Sequence, residues 1–127
     1  GEHLPICYTS SRDLAILYAN SRVVLTEGVF DRIAFKRCFP DLPVIARLSK
    51  GVGTSLRKFI ERYAKIVFLA FDRDIAGEQG TNKSAAILQV DSVIRVSFAA
   101  KDLAQFVESR GISAARRFLL PQIESVL

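Results

Sequence analysis

Two apolar runs in this chain end in carboxylates. Val23-Val24-Leu25 leads through Thr26 to Glu27-Gly28, and Ile66 to Phe71, six residues without a charge, runs straight into Asp72-Arg73-Asp74. A carboxylate beside a core loses hydration and shifts towards its neutral form unless a cation compensates. A divalent cation is the economical compensation, and paired hard oxygen ligands suit Mg²⁺, which keeps several waters and is completed by substrate phosphates. Asp72 and Asp74 leave the backbone in similar directions, with Gly77 permitting the turn. Glu27 ends a different strand. Placed at the same sheet edge, it would move a proton to or from a hydroxyl while the two aspartates hold the metal.

Two further acids fall near that edge. Asp31 lies one turn into the helix after Glu27 and points back towards it, and Asp102 follows the last strand. Each has a plainer reading: both are first-turn residues, where a carboxylate caps amides and complements the helix dipole. Asp72 or Asp74 alone reads as a loop residue, and Glu27-Gly28 alone as a turn. Among the basic residues, Arg47, Lys50, Arg57 and Lys58 surround the loop Lys50-Gly51-Val52-Gly53. They could hold a nucleic-acid backbone, with helix amides after Thr54 against a phosphate. Scattered surface bases and a loop needing positive φ are the ordinary alternatives. The nine phenylalanines mostly fit core positions, and His3 falls near the chain start.

Positioning these residues requires an α/β alternation. Ser10 or Ser11 caps a helix through Asn20, and Val23 to Leu25 reads as a strand covered on both faces. A helix from Asp31 stops before Pro40. Pro43 to Ala46 is a second strand, Thr54 to Tyr63 a helix, and Ile66 to Phe71 the central strand. A helix over about Asn82 to Gln89 follows the glycines, then a strand nearer an edge over Ser92 to Phe98. Asp102 caps a helix closed by Gly111, and Ser113 opens the last one. The expectation is a mostly parallel four-stranded sheet with helices on both faces and right-handed crossovers, its ligands gathering at the carboxyl ends of the strands.

Composition narrows the partners. The chain has 127 residues, 50% hydrophobic and 24% charged, with a formal charge of +5, a bias towards polyanions. Two cysteines, Cys7 and Cys38, and one histidine cannot build a Cys/His zinc site. They read as free thiols, and any metal must sit on carboxylates. No apolar run approaches the length of about 20 residues that a membrane helix needs. The N-terminus lacks the basic-then-apolar layout of a secretory signal, so a soluble, intracellular domain is expected, and the absence of methionine reads as a piece of a longer protein.

The segment Val23 to Asp31, with Glu27-Gly28-Val29-Phe30-Asp31, and the run Ile66 to Phe71 followed by Asp72-Arg73-Asp74-Ile75-Ala76-Gly77 together resemble the Toprim domain of topoisomerases, primases and several nucleases. Residues 22–111 would form that core, with a lead-in helix over 1–21 and a C-terminal helix over 112–127. Details resemble the bacterial-type (DnaG-type) DNA primases and phage primase-helicases: Glu27 to Asp31 with Ala34, the alanine before Gly77, the segment Val44 to Ser55, and Lys101-Asp102. Ala104 departs from the primase pattern, in which a second aspartate often stands there, and Glu78 after Gly77 follows the topoisomerase form. The resemblance implies Mg²⁺, or Mn²⁺ in its place, on Asp72 and Asp74, with Asp31 and Asp102 supporting and Glu27 handling the proton. It also implies single-stranded DNA template, nucleotides, other domains of a parent protein and a replicative helicase as partners. The implied reaction is RNA primer synthesis in the cytoplasm or nucleoid, with an organelle also open. A metal-dependent nuclease or topoisomerase, and a non-catalytic nucleic-acid-binding module, are the alternatives.

Overall fold

The computed structural model describes residues 7–47, 54–72 and 75–124. Along the chain these form β1 (Cys7–Tyr8), α1 (Ser11–Asn20), β2 (Arg22–Thr26), α2 (Val29–Cys38), β3 (Val44–Arg47), α3 (Thr54–Tyr63), β4 (Ile66–Ala70), α4 (Ile75–Ile87), β5 (Ser92–Arg95), α5 (Leu103–Arg110) and α6 (Ile112–Glu124). The sheet order is β1-β3-β2-β4-β5. Four strands are parallel, as expected, with Leu25 opposite Ile45 on one side and Leu69 on the other. A fifth strand corrects the expected count: β1 adds two residues antiparallel to β3. A two-residue strand carries no periodicity that sequence could display.

The period of two along the strands divides the core. Val24, Val44, Phe68 and Ala70 face α2, α5 and α6, where Phe35, Phe106 and Leu119 are fully buried. Val23, Leu25, Ile45, Val67 and Leu69 face the other way, against Leu17 of α1 and Leu56 and Ile60 of α3. Each fully buried Leu or Phe side chain contributes roughly 1.5–3 kcal/mol relative to exposure. β2 and β4 lie at the centre and are buried beyond their first residues, whereas β5 is an edge strand and only partly covered.

Helix ends follow local chemistry. Ser10 Oγ accepts the Asp13 amide at 3.1 Å, opening α1. Ser21, in the left-handed conformation at φ 60°, closes it. Gly111 joins α5 to α6 at φ +85°, which favours glycine. The largest departure from expectation is α4, which begins at Ile75 and includes Gly77 and Gly80 inside its first turns. Both glycines sit where the helix touches the strand ends, so packing overrides their weak helix preference.

One buried acid ties three elements together. Asp13, 1% exposed, takes Arg32 Nη2 at 2.8 Å, Lys36 Nζ at 2.7 Å and the Val44 amide at 3.0 Å. Arg32 Nε also donates to the Val44 carbonyl at 2.9 Å. Removing one partner from such a cluster leaves the others buried and uncompensated, at a cost of about 3–5 kcal/mol. Asp13→Ala therefore lowers Tm by roughly 10 °C or more in thermal unfolding; a shift of a degree or two would show that the cluster carries no stability.

Candidate functional site

Glu27 and Asp72 meet at the carboxyl ends of the two central strands. Thr26 pairs with Ala70 at the last rung of β2 and β4, so the residues just beyond emerge side by side. Glu27 Oε1 accepts the Asp72 backbone amide at 2.8 Å, joining positions 45 apart in sequence. The turn under Glu27 is held by Thr26 Oγ1 donating to the Gly28 carbonyl at 3.1 Å. Gly28 is the N-cap of α2 at φ −124°, an ordinary extended conformation. A Cβ there would meet only Asp31 Oδ2, at 3.8 Å. The turn does not depend on glycine at this position.

Gly77 does have a steric reason. A Cβ on it would overlap the Asp72 carbonyl and stand 2.9 Å from Glu27 Oε1. Its role is close approach within a helix and not the loop turn expected from sequence. Thr81 Oγ1 donates back to the Gly77 carbonyl at 2.9 Å, securing this first stretch of α4.

Asp31, one turn into α2, is buried, and its Oδ1 accepts the Ala104 amide at 3.0 Å. Asp102 is the N-cap of α5, its Oδ1 accepting the Gln105 amide at 2.7 Å. Two carboxylates thus serve the amide end of one helix, where negative charge is favoured. Burial pushes the Asp31 carboxyl up from its ordinary 3.8; the Ala104 bond opposes this, and Asp102 and Glu27 add to it. Asp31, Asp72 and Asp102 line one open groove of about 590 Å³ together with Gly28, Phe30 and Lys101. Lys101 and the exposed Phe30 are groove residues whose site placement sequence did not reveal.

The basic residues separate. Arg47, expected on a surface rim, is 6% exposed at the end of β3. Its Nη2 lies 3.8 Å from Glu27 Oε1 and its guanidinium stacks 4.2 Å from the Phe71 ring centroid. It is an interior cation because β3 neighbours β2 and delivers its last side chain to the same edge. Burial draws its pKa down, against the opposing fields of Glu27 and Asp72. Arg57 lies on α3 and faces Glu61 at 3.8 Å, one turn away. Asp74 and Lys50 fall outside the described residues.

With the Glu27 carboxylate joined to the Asp72 backbone across the central strands and a glycine against both, the topology and motif agree. A Toprim-like family model matches residues 24–107. The chain belongs to the Toprim-like family. No curated protein matches it. Among solved structures, this Toprim fold is similar to the zinc-binding and RNA polymerase domains of the Aquifex aeolicus primase, at 21% identity and TM-score 0.69, over 86% of this chain and 27% of that one. The Escherichia coli primase catalytic core gives 15% identity and TM-score 0.64, over 95% and 42%. The primase fragment of the bacteriophage T7 primase-helicase gives 21% and 0.59, over 81% and 44%. The Toprim chain therefore spans less than half the length of each of these three relatives, and its fold matches that part of each.

Two measurements test this geometry. Gly77→Ala forces the Asp72 backbone and the Glu27 carboxylate apart and costs at least about 2 kcal/mol by chemical denaturation; an unchanged midpoint would refute the close approach. Asp31 has a folded pKa above its unfolded one, so its contribution to stability is full below pH 3.8 and is lost as pH rises through the raised value. Asp31→Asn keeps an acceptor for Ala104 and removes the charge. In chelator at pH 7 it melts above the parent protein, and the gap closes towards pH 4.

Proposed function

We propose that this domain carries out Mg²⁺-dependent nucleotidyl transfer for RNA primer synthesis on single-stranded DNA, as the catalytic Toprim unit of a primase-like protein. The observation that carries the reading is the hydrogen bond from the Asp72 backbone amide to the Glu27 carboxylate, which brings the two residues together at the carboxyl end of the sheet; in this reading Glu27 handles the proton and Asp72 binds metal. The likeness to primase catalytic cores supports the choice of reaction.

The donor set fits a hard cation. It is carboxylate oxygen throughout, with no histidine or cysteine in the groove. A hard cation of this kind keeps most of its waters and borrows phosphate oxygens from its substrate. Asp72 with Asp74 would hold Mg²⁺, or Mn²⁺ in its place, and Asp31 and Asp102 would support the site from α2 and α5. When bound there, the metal would neutralise the triphosphate and stabilise charge developing on it.

The chain's own groups supply the rest. Glu27, fixed by the Asp72 amide, accepts a proton from the attacking hydroxyl. Gly77 keeps the first turns of α4 against this pair so that its orientation does not drift. Lys101 at the groove and Arg57 on α3, with Lys50 as the sequence reading has it, hold template or nucleotide phosphates. Single-stranded DNA, nucleotides, further domains of the parent protein and a replicative helicase are the proposed partners, the last two in line with a neighbour that is a primase-helicase. Among the described residues no helix is long and apolar enough to cross a membrane.

The test is Asp72→Asn in the full-length protein, assayed with Mg²⁺, ribonucleotides and a single-stranded template. Primer synthesis falls on the order of a hundredfold or more, with Tm in chelator held within a few degrees. Retained synthesis would overturn the metal assignment. Metal-dependent cleavage of DNA without extension would replace the primase reading with a nuclease one.

A further inference from the structure

The carboxylate site already contains a cation. Arg47 ends β3, whose parallel pairing with β2 brings it beside Glu27. The guanidinium is enclosed: Phe71 forms one wall at 4.2 Å, and Glu27 Oε1 stands 3.8 Å from Nη2. Gly80 makes room for it, since a Cβ there would lie 2.9 Å from the same nitrogen. An arginine is not brought into a protein interior without compensating charge, because its desolvation must be offset. Here the compensation comes from Glu27 and Asp72, both of which act on Arg47.

We infer that Arg47 is a resident counter-ion of the site, which opposes loading of a bare divalent cation and so makes metal binding favour the metal together with nucleotide phosphates. The inference rests on the metal reading of Asp72 proposed above. A divalent ion approaching these carboxylates meets the fixed positive charge of the buried guanidinium a few ångströms away, where repulsion is less screened than between exposed groups. A metal that arrives with a triphosphate brings its own negative charge, and the guanidinium then attracts where it would have repelled. Arg47 is a positioning residue on this account: it acts through the field at Glu27 and Asp72.

Calorimetric titration with Mg²⁺ alone and with Mg²⁺ plus a nucleoside triphosphate, on the parent protein and on Arg47→Gln and Arg47→Lys, tests this. Arg47→Gln binds bare Mg²⁺ on the order of tenfold more tightly, with a lower metal-free Tm and a smaller advantage from added nucleotide. Arg47→Lys, which keeps the charge, stays near the parent. In the unsubstituted protein the Arg47 Nε–Hε resonance moves with added Mg²⁺ at the calorimetric Kd. Equal Mg²⁺ affinity in the parent and Arg47→Gln overturns the inference and leaves the metal reading standing. No Mg²⁺ binding by either protein, with or without nucleotide, overturns both. Should Arg47→Gln fail to fold, an Arg47 resonance that stays fixed through metal saturation overturns the inference by itself.

Discussion

A carboxylate that accepts a backbone amide from the neighbouring strand converts two strand ends into one rigid object. In this Toprim fold that object is Glu27 bonded to the Asp72 amide. Strand pairing stops at Thr26 and Ala70; beyond it, nothing in a parallel ladder dictates where the chain goes. The side-chain bond extends the register by one more step. The first turns of α4 then close against it, because only hydrogen occupies the space at Gly77. The placement of Asp31 and Asp102 follows from the same edge, since α2 departs from Glu27 and its first turn reaches the amides of α5.

Charge is handled in two ways in this domain. Asp13 is fully compensated by Arg32, Lys36 and an amide, and it acts as a structural clamp among α1, α2 and β3. Asp31 is raised in pKa by burial and by two neighbouring acids, which outweigh its bonds to the backbone of Ala104 and Gly28. Perturbation of this second kind is found where a site awaits a ligand, although structural acids show it too. The contrast within one small domain separates a carboxylate that stabilises the fold from one whose ionisation opposes it.

Much of the architecture was legible because it rests on local signals. The charge-free runs marked β2 and β4, Ser10 and Asp102 marked helix starts, and Pro40 marked the end of α2. The carboxylates at strand ends were legible for the same reason: a buried run that stops at an acid is a positional pattern. The long-range facts were not. Asp13 resembles any first-turn acid until α2 packs beside it, and Arg47 resembles a surface base until the order β3-β2-β4 is known. Gly77 and Gly80 read as loop residues because helix propensity is local, whereas their reason is steric contact with Asp72 and Arg47.

The alternation in β2 has a consequence for how this domain can diverge. Val24 belongs to one hydrophobic core and Val23 and Leu25 to another, and the two are separated by the sheet itself. Substitutions on opposite faces share few side-chain neighbours, so their effects should be close to additive. Each face can then drift in sequence on its own schedule, one adapting to α1 and α3 and the other to α2, α5 and α6. The strand ends are the exception, because there both faces terminate on the same few backbone atoms. A lineage can thus exchange most of its interior and still be recognisable by a handful of residues at one edge.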